Sequence, residues 1–158
     1  MNKNIIPTIN ISSLINNGFS SPKSIKTIKK IKKACVDIGF FQITGHGINQ
    51  KNIKSICNVG NKFFNSSEKN KIKLSPKKWN PKNKNIYRGY FPNDVNGKEG
   101  LDIGDLKVTK KYANSVKNRY IEYLNLNKSI DKKSIRILSN YFDKIFFLGE
   151  ALFKSIIK

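Results

Sequence analysis

Ala34-Cys35-Val36-Asp37-Ile38-Gly39-Phe40-Phe41-Gln42-Ile43-Thr44-Gly45-His46-Gly47-Ile48 holds a helix end, a strand and a glycine-flanked turn within fifteen residues. Upstream of it, Ile28, Ile31, Cys35 and Ile38 recur at spacings of three and four, which places them on one face of a helix. Ser21-Pro22 supplies a start for that helix, with proline at the first helical position, and Gly39 ends it. Phe40 to Thr44 is rich in strand formers and reads as a strand. Gly45-His46-Gly47 is a turn, since paired glycines supply the backbone freedom that a tight reversal requires.

Working outward, Pro7-Thr8-Ile9-Asn10-Ile11 alternates and is β-branched, so it is expected to form a short strand. A second helix is expected from about Asn49, its cap, to Phe64, with Ile53, Ile56, Cys57 and Phe63 on its apolar face. Ser67-Glu68-Lys69-Asn70-Lys71 opens a short third helix. Residues 75 to 85, with Pro76 and Pro81, read as a polar surface loop, and Trp79 as an anchor within it. Residues 86 to 91 are expected to be extended, 93 to 100 a loop, and Leu101 to Val108 a strand. Leu138, Tyr141, Ile145, Leu148 and Leu152 repeat at alternating spacings of three and four, flanked by Phe142, Phe146 and Phe153. They predict a long amphipathic helix from about Lys128 onward, wide enough in its apolar face to need a partner surface.

The composition narrows the function. The chain has 158 residues, 38 % of them hydrophobic, which is enough for one modest core and too apolar for a disordered chain. No apolar run reaches the ~20 residues that span a bilayer, and the opening Met1-Asn2-Lys3-Asn4-Ile5 has no signal-peptide core, so a cytoplasmic protein is expected. The single histidine, His46, means that one copy of the chain cannot build a metal site from two histidines. His46 is instead expected to be a hydrogen-bonding turn residue. Cys35 and Cys57 form no CxxC and are expected to be buried free thiols.

The net charge of +21 invites a nucleic-acid partner. Arginine, however, occurs only at Arg88, Arg119 and Arg136, and the lysines are dispersed along the chain. Lys29, Lys30, Lys32 and Lys33 surround Ile28 and Ile31, as on the wet face of a helix. A solvated basic surface is the expectation, and nucleic acid is not the expected partner.

Five blocks in order carry a resemblance. Ile6-Pro7-Thr8-Ile9-Asn10-Ile11 resembles an opening "P-x-I-D-L" strand, with Asn10 for Asp. Residues 34 to 48 resemble "A-C-x-x-x-G-F-F-x-x-x-N-H-G-I", with Gly45 for Asn. Phe63-Phe64 with Glu68 and Lys71 resembles "F-F-x-x-P-x-E-E-K", with Ser67 at the proline. Arg88-Gly89-Tyr90 resembles "R-G-Y", and Lys98-Glu99-Gly100-Leu101-Asp102-Ile103-Gly104 resembles "K-E-x-F-D-I-G". Together they resemble the N-terminal region of the isopenicillin N synthase-like Fe(II)/2-oxoglutarate-dependent oxygenases.

The resemblance implies an α+β fold: the N-terminal helices and strands of a double-stranded β-helix (jelly-roll) oxygenase, ending in a long helix. About residues 6–108 carry the motifs, and about 128–158 form the helix. In the family, the catalytic jelly roll supplies H-x-D, a distant His and an R-x-S motif for 2-oxoglutarate. None occurs here: His46 precedes Gly47-Ile48, and the arginines read Arg88-Gly-Tyr, Arg119-Tyr-Ile and Arg136-Ile-Leu. Fe(II) and 2-oxoglutarate are therefore implied for the whole enzyme and are not expected to be bound by this chain alone. The implied partner is a missing C-terminal catalytic half, in the same or a separate chain, as in a truncated gene, a fragment or a split enzyme. No catalytic or metal residue is expected in these residues. Arg88 and Tyr90 are the substrate-binding candidates, because a guanidinium pairs well with a substrate carboxylate. Glu99 and Asp102 are expected to be an ordinary loop residue and an outward strand residue. A stand-alone interaction module and a basic nucleic-acid-binding protein are the alternatives.

Overall fold

The computed structural model describes residues 6–93, 97–116 and 121–157. The chain is a mixed helix-and-strand protein whose described residues divide into two compact units: residues 6–50 with 143–157, and those between 51 and 142.

In the first unit, β1 (Thr8–Asn10) pairs in parallel with β2 (Gln42–Thr44), with Ile9 opposite Ile43. A parallel pair needs a crossover, and here it is α1 (Ser12–Asn17) and α2 (Pro22–Asp37). The Ser21 side chain caps α2 by accepting the Ser24 N–H at 3.1 Å, and Pro22 follows it. Ile28, Ile31 and Ala34 of α2 pack with Ile9, Ile11, Leu14 and Leu148 to form this unit's core. Gly39 takes φ +81 just past the helix. The expected strand over residues 40–44 shortens to three residues. Phe41 and Ile43 face the core, while Phe40 faces away and stays 71 % exposed, because alternation along a strand sends neighbours to opposite faces. α1 lies in a stretch too short and too polar for its periodicity to be read.

The second unit holds α3 (Gln50–Phe64, its first residue belonging to the other unit), α4 (Glu68–Ile72), β3 (Gly89–Phe91), β4 (Gly100–Asp102), α5 (Lys110–Ser115) and a 3-10 turn at Leu126–Lys128. β3 and β4 are antiparallel, with Tyr90 opposite Leu101. The core gathers Val59, Phe63, Leu74, Tyr90, Leu126, Ile130 and Leu138.

Several expectations change here. Cys57 is exposed and Cys35 half-buried rather than both buried. In α3 the stripe that faces the core is Ile56, Val59 and Phe63, and Cys57 is one residue out of phase with it. The strand expected over Leu101–Val108 stops at Asp102, because Asp105 turns the chain: its carboxylate accepts the Lys107 N–H at 2.8 Å and its carbonyl the Val108 N–H at 3.1 Å. The stretch 75–85 is only partly a surface loop. Ser75, Pro76 and Asn83 are buried, and the Asn83 amide donates to the carbonyls of Lys73 at 3.0 Å and Ser75 at 2.7 Å. Trp79 meets Phe91 edge-on with ring centres 5.5 Å apart.

The long helix, α6 (Lys132–Ile157), starts four residues later than expected because Asp131 caps it, accepting the Ser134 N–H at 2.9 Å. α6 gives Leu138 to the second unit's core and Leu148 to the first. No helix among the described residues is long and apolar enough to cross a membrane.

Candidate functional site

The residues singled out as substrate-facing, Arg88 and Tyr90, lie at the start of β3. Three local features hold this stretch. Gly89 has φ +123, and a Cβ there would stand 2.0 Å from the Leu74 carbonyl oxygen, so only glycine fits. The Glu122 carboxylate accepts three consecutive backbone N–H groups, from Ile86 at 2.6 Å, Tyr87 at 2.8 Å and Arg88 at 2.9 Å. The Asn85 amide donates to the Arg88 carbonyl. A turn of successive N–H groups around one carboxylate is an anion-holding concavity filled from within the chain.

From this turn Arg88 sends its guanidinium to Asp102, Nη1 to Oδ1 at 2.8 Å, and lies over Gly104. Its side chain keeps about a third of its surface exposed (32 %), and Asp102 is itself exposed. The pairing follows from the strand register, which sets Gly89 opposite Asp102.

Tyr90 points the other way and is buried. Its hydroxyl donates to Glu99 Oε2 at 2.6 Å, and Phe63 packs edge-on against its ring with centres 5.8 Å apart. Lys71, also buried, donates to the same Glu99 oxygen at 2.6 Å, pairs with Glu68 at 3.2 Å, and holds its ammonium 5.2 Å from the centre of the Tyr90 ring. Glu99 is therefore no ordinary loop residue; it is the shared acceptor of a partly buried clamp.

The electrostatics follow from these contacts. The hydrogen bond from Lys71, then that from Tyr90, holds the Glu99 carboxyl below its ordinary value. The bond to Glu99 raises the Lys71 ammonium despite its burial. Burial, then the bond to Glu99, pushes the Tyr90 phenol up to about 12.

In the sequence Glu68, Lys71, Tyr90 and Glu99 fall in three separate motif blocks, and nothing in their spacing joins them. The structure brings all four to one cluster. The one signal for it in sequence is charge complementarity between Lys71 and two acids, which a lysine-rich chain hides.

His46 lies in the other unit, where its Nδ1 accepts the Ile48 N–H at 3.1 Å. Among the described residues, no three His, Cys, Asp or Glu side chains gather where they would hold a metal ion. The donor set of this chain does not fit a two-histidine, one-carboxylate iron centre, for which His46 is one histidine short.

The family model for the N-terminal region of the non-haem dioxygenase in morphine synthesis matches residues 6–135. The chain belongs to this family of dioxygenase N-terminal regions. It is 33 % identical over 88 residues to a 2-oxoglutarate-dependent dioxygenase, tropC, of Talaromyces stipitatus, a match that covers 56 % of this chain and 26 % of that protein. It is 36 % identical over 78 residues to a homoarginine-6-hydroxylase of Glycine max, covering 45 % of this chain and 24 % of that protein. A Dictyostelium discoideum protein named "Probable iron/ascorbate oxidoreductase" is 30 % identical over 172 aligned positions, covering 96 % of this chain and 44 % of that protein. The chain thus matches between a quarter and somewhat under half of the length of these relatives.

Proposed function

We propose that this chain is the N-terminal part of an Fe(II)/2-oxoglutarate-dependent oxygenase that acts on a small organic substrate. Its role is to supply scaffold and part of the substrate-pocket wall, while the iron ligands and the 2-oxoglutarate site lie in a jelly-roll half outside these residues. The observation that carries this reading is the match of nearly the whole chain to under half of an iron/ascorbate oxidoreductase. The single histidine and the absence of any H-x-D or R-x-S in the sequence support it.

The exposed aromatic face at the end of α6, with Phe146, Phe147 and Phe153 each more than half exposed, supports a catalytic half as the partner that covers it. On this reading the cytoplasm is the site of action.

Arg88 and Tyr90 are assigned different parts. Arg88 keeps a partly exposed guanidinium with only Nη1 engaged among the described residues, which suits a substrate carboxylate. Tyr90 is a positioning residue: its hydroxyl is committed to Glu99, and its ring anchors the strand that presents Arg88.

The test loads the purified chain with ferrous ion and 2-oxoglutarate, alone and together with the jelly-roll half of a relative. The expected result is neither stoichiometric iron binding nor succinate from the chain alone, and succinate only with the catalytic half. Stoichiometric ferrous binding with turnover of 2-oxoglutarate by the chain alone overturns the reading.

A further inference from the structure

The second unit contains a cavity of about 480 Å³ on the side of the chain formed by residues 73–85, α5 and residues 121–128. That volume lies in the range of small-molecule sites. Five lysines line it: Lys73, Lys82, Lys84, Lys110 and Lys128. Among the described residues of its wall the one acid is Glu122, whose carboxylate is already turned onto three backbone N–H groups of the 86–88 turn. Among the described residues, none of the five lysines pairs with a carboxylate, whereas Lys33, Lys62, Lys71, Arg88 and Lys154 all do.

Lys128 is also held in place. Its ammonium donates to Asn83 Oδ1 at 2.6 Å, and Asn83 is 94 % buried on the strength of its two bonds to the Lys73 and Ser75 carbonyls. The Lys73 ammonium donates to Asn70 Oδ1 at 3.3 Å, outside the wall. Even so, the lysines outnumber the carboxylates among the described residues of the wall; like charges so placed repel one another, and an anion placed among them relieves that repulsion. The remaining wall adds neutral amide groups from Asn114 and Asn125, and an apolar side from Tyr123 and Leu124.

We infer that this cavity is a binding site for an organic polyphosphate with an aromatic body, of the nucleoside triphosphate class. The lysines take the phosphates, and Tyr123 offers a face on which a planar ring stacks. The cavity shares Asn85 and Glu122 with the Arg88 turn, but the proposal does not depend on the oxygenase reading. A cleft of this volume holds a compact ligand, whereas a nucleic-acid backbone follows an extended groove.

The experiment is calorimetric titration of the full chain with ATP at physiological salt, repeated with inorganic tripolyphosphate and with a 12-base-pair DNA duplex. Two triple variants are compared. Lys82→Gln/Lys84→Gln/Lys110→Gln strips the cavity, and Lys29→Gln/Lys30→Gln/Lys32→Gln removes the same charge from α2. All six lysines are exposed, so both variants keep the fold, which circular dichroism checks. The expected result is one ATP per chain, weaker tripolyphosphate binding, at least tenfold weaker ATP binding in the cavity variant, and less than a twofold change in the α2 variant. Equal losses in both variants, several ATP molecules per chain, tripolyphosphate binding as tight as ATP, no ATP binding, or DNA binding where ATP fails each overturns the proposal.

Discussion

Replacing Glu99 by glutamine keeps the shape of the clamp and removes its charge. In the native chain Glu99 accepts from both Lys71 and Tyr90 at 2.6 Å. At an effective dielectric of ~20, a unit charge pair at ~4 Å is worth ~4 kcal/mol before desolvation is counted. Two features reduce that. The Glu99 side chain is 31 % exposed, so water screens it, and Lys71 retains Glu68 at 3.2 Å after the change. The glutamine carbonyl also keeps one neutral hydrogen bond. A net loss of about 2 kcal/mol remains, between the loss of a charged hydrogen bond and that of a fully buried pair.

Urea unfolding followed by circular dichroism reads this as a midpoint lowered by about 1 M, for a slope of about 2 kcal/mol per molar. The pH dependence gives a second, independent readout. The Glu99 carboxyl is lowered in the folded state, so its contribution is present above the unfolded value of about 4.3 and is lost as pH falls through the lower folded value. The gap between wild type and Glu99→Gln is therefore constant near neutrality and closes in acid. A variant as stable as wild type at pH 7, or a gap that persists unchanged at pH 2, refutes the clamp. Lys33→Ala, which breaks an equally short but exposed pair with Asp37, serves as the control and leaves the midpoint unmoved.

Gly89→Ala, with its Cβ driven into the Leu74 carbonyl, lowers stability by at least about 3 kcal/mol, seen as a large drop in the thermal midpoint. Ser21→Ala removes the α2 cap and costs about 1 kcal/mol in the same denaturation assay. The hydrogen bond from Lys62, then the Ser134 N–H, holds the Asp131 carboxyl well below the usual carboxylate range, so Asp131→Ala lowers the urea midpoint at pH 7 and flattens the loss of stability in acid. On the alkaline side, the Lys71 and Tyr90 contributions are intact below about pH 10 and fade as pH rises through the raised folded values; Tyr90→Phe removes the phenol's share, which absorbance titration at 295 nm tracks. In a complete enzyme that takes a carboxylate substrate, Arg88→Gln raises KM more than it lowers kcat, measured by succinate release.

Local order was legible in the residues themselves. Ser21-Pro22 with a three-and-four apolar spacing specifies α2, and the stripe from Leu138 to Leu152 specifies α6, because a helix buries one face and its period is written along the chain. The ordered motif blocks likewise announced the family that the comparison over residues 6–135 supports. Ion partners were not legible. Lys71 meets Glu99 across 28 residues, and Glu122 meets the Arg88 turn across 34, pairings set by where the loops return and by nothing in the local pattern. In a chain of net charge +21, any lysine is a candidate for any acid, so tertiary packing alone picks the buried one. The same holds for the five lysines that line one cavity: each reads as solvated surface in sequence, and only the fold brings residues 73, 82, 84, 110 and 128 to a common wall. Periodicity encodes which face of an element is apolar, whereas a charge carries no record of its distant neighbour, so the elements come from the sequence and the constellations from the fold.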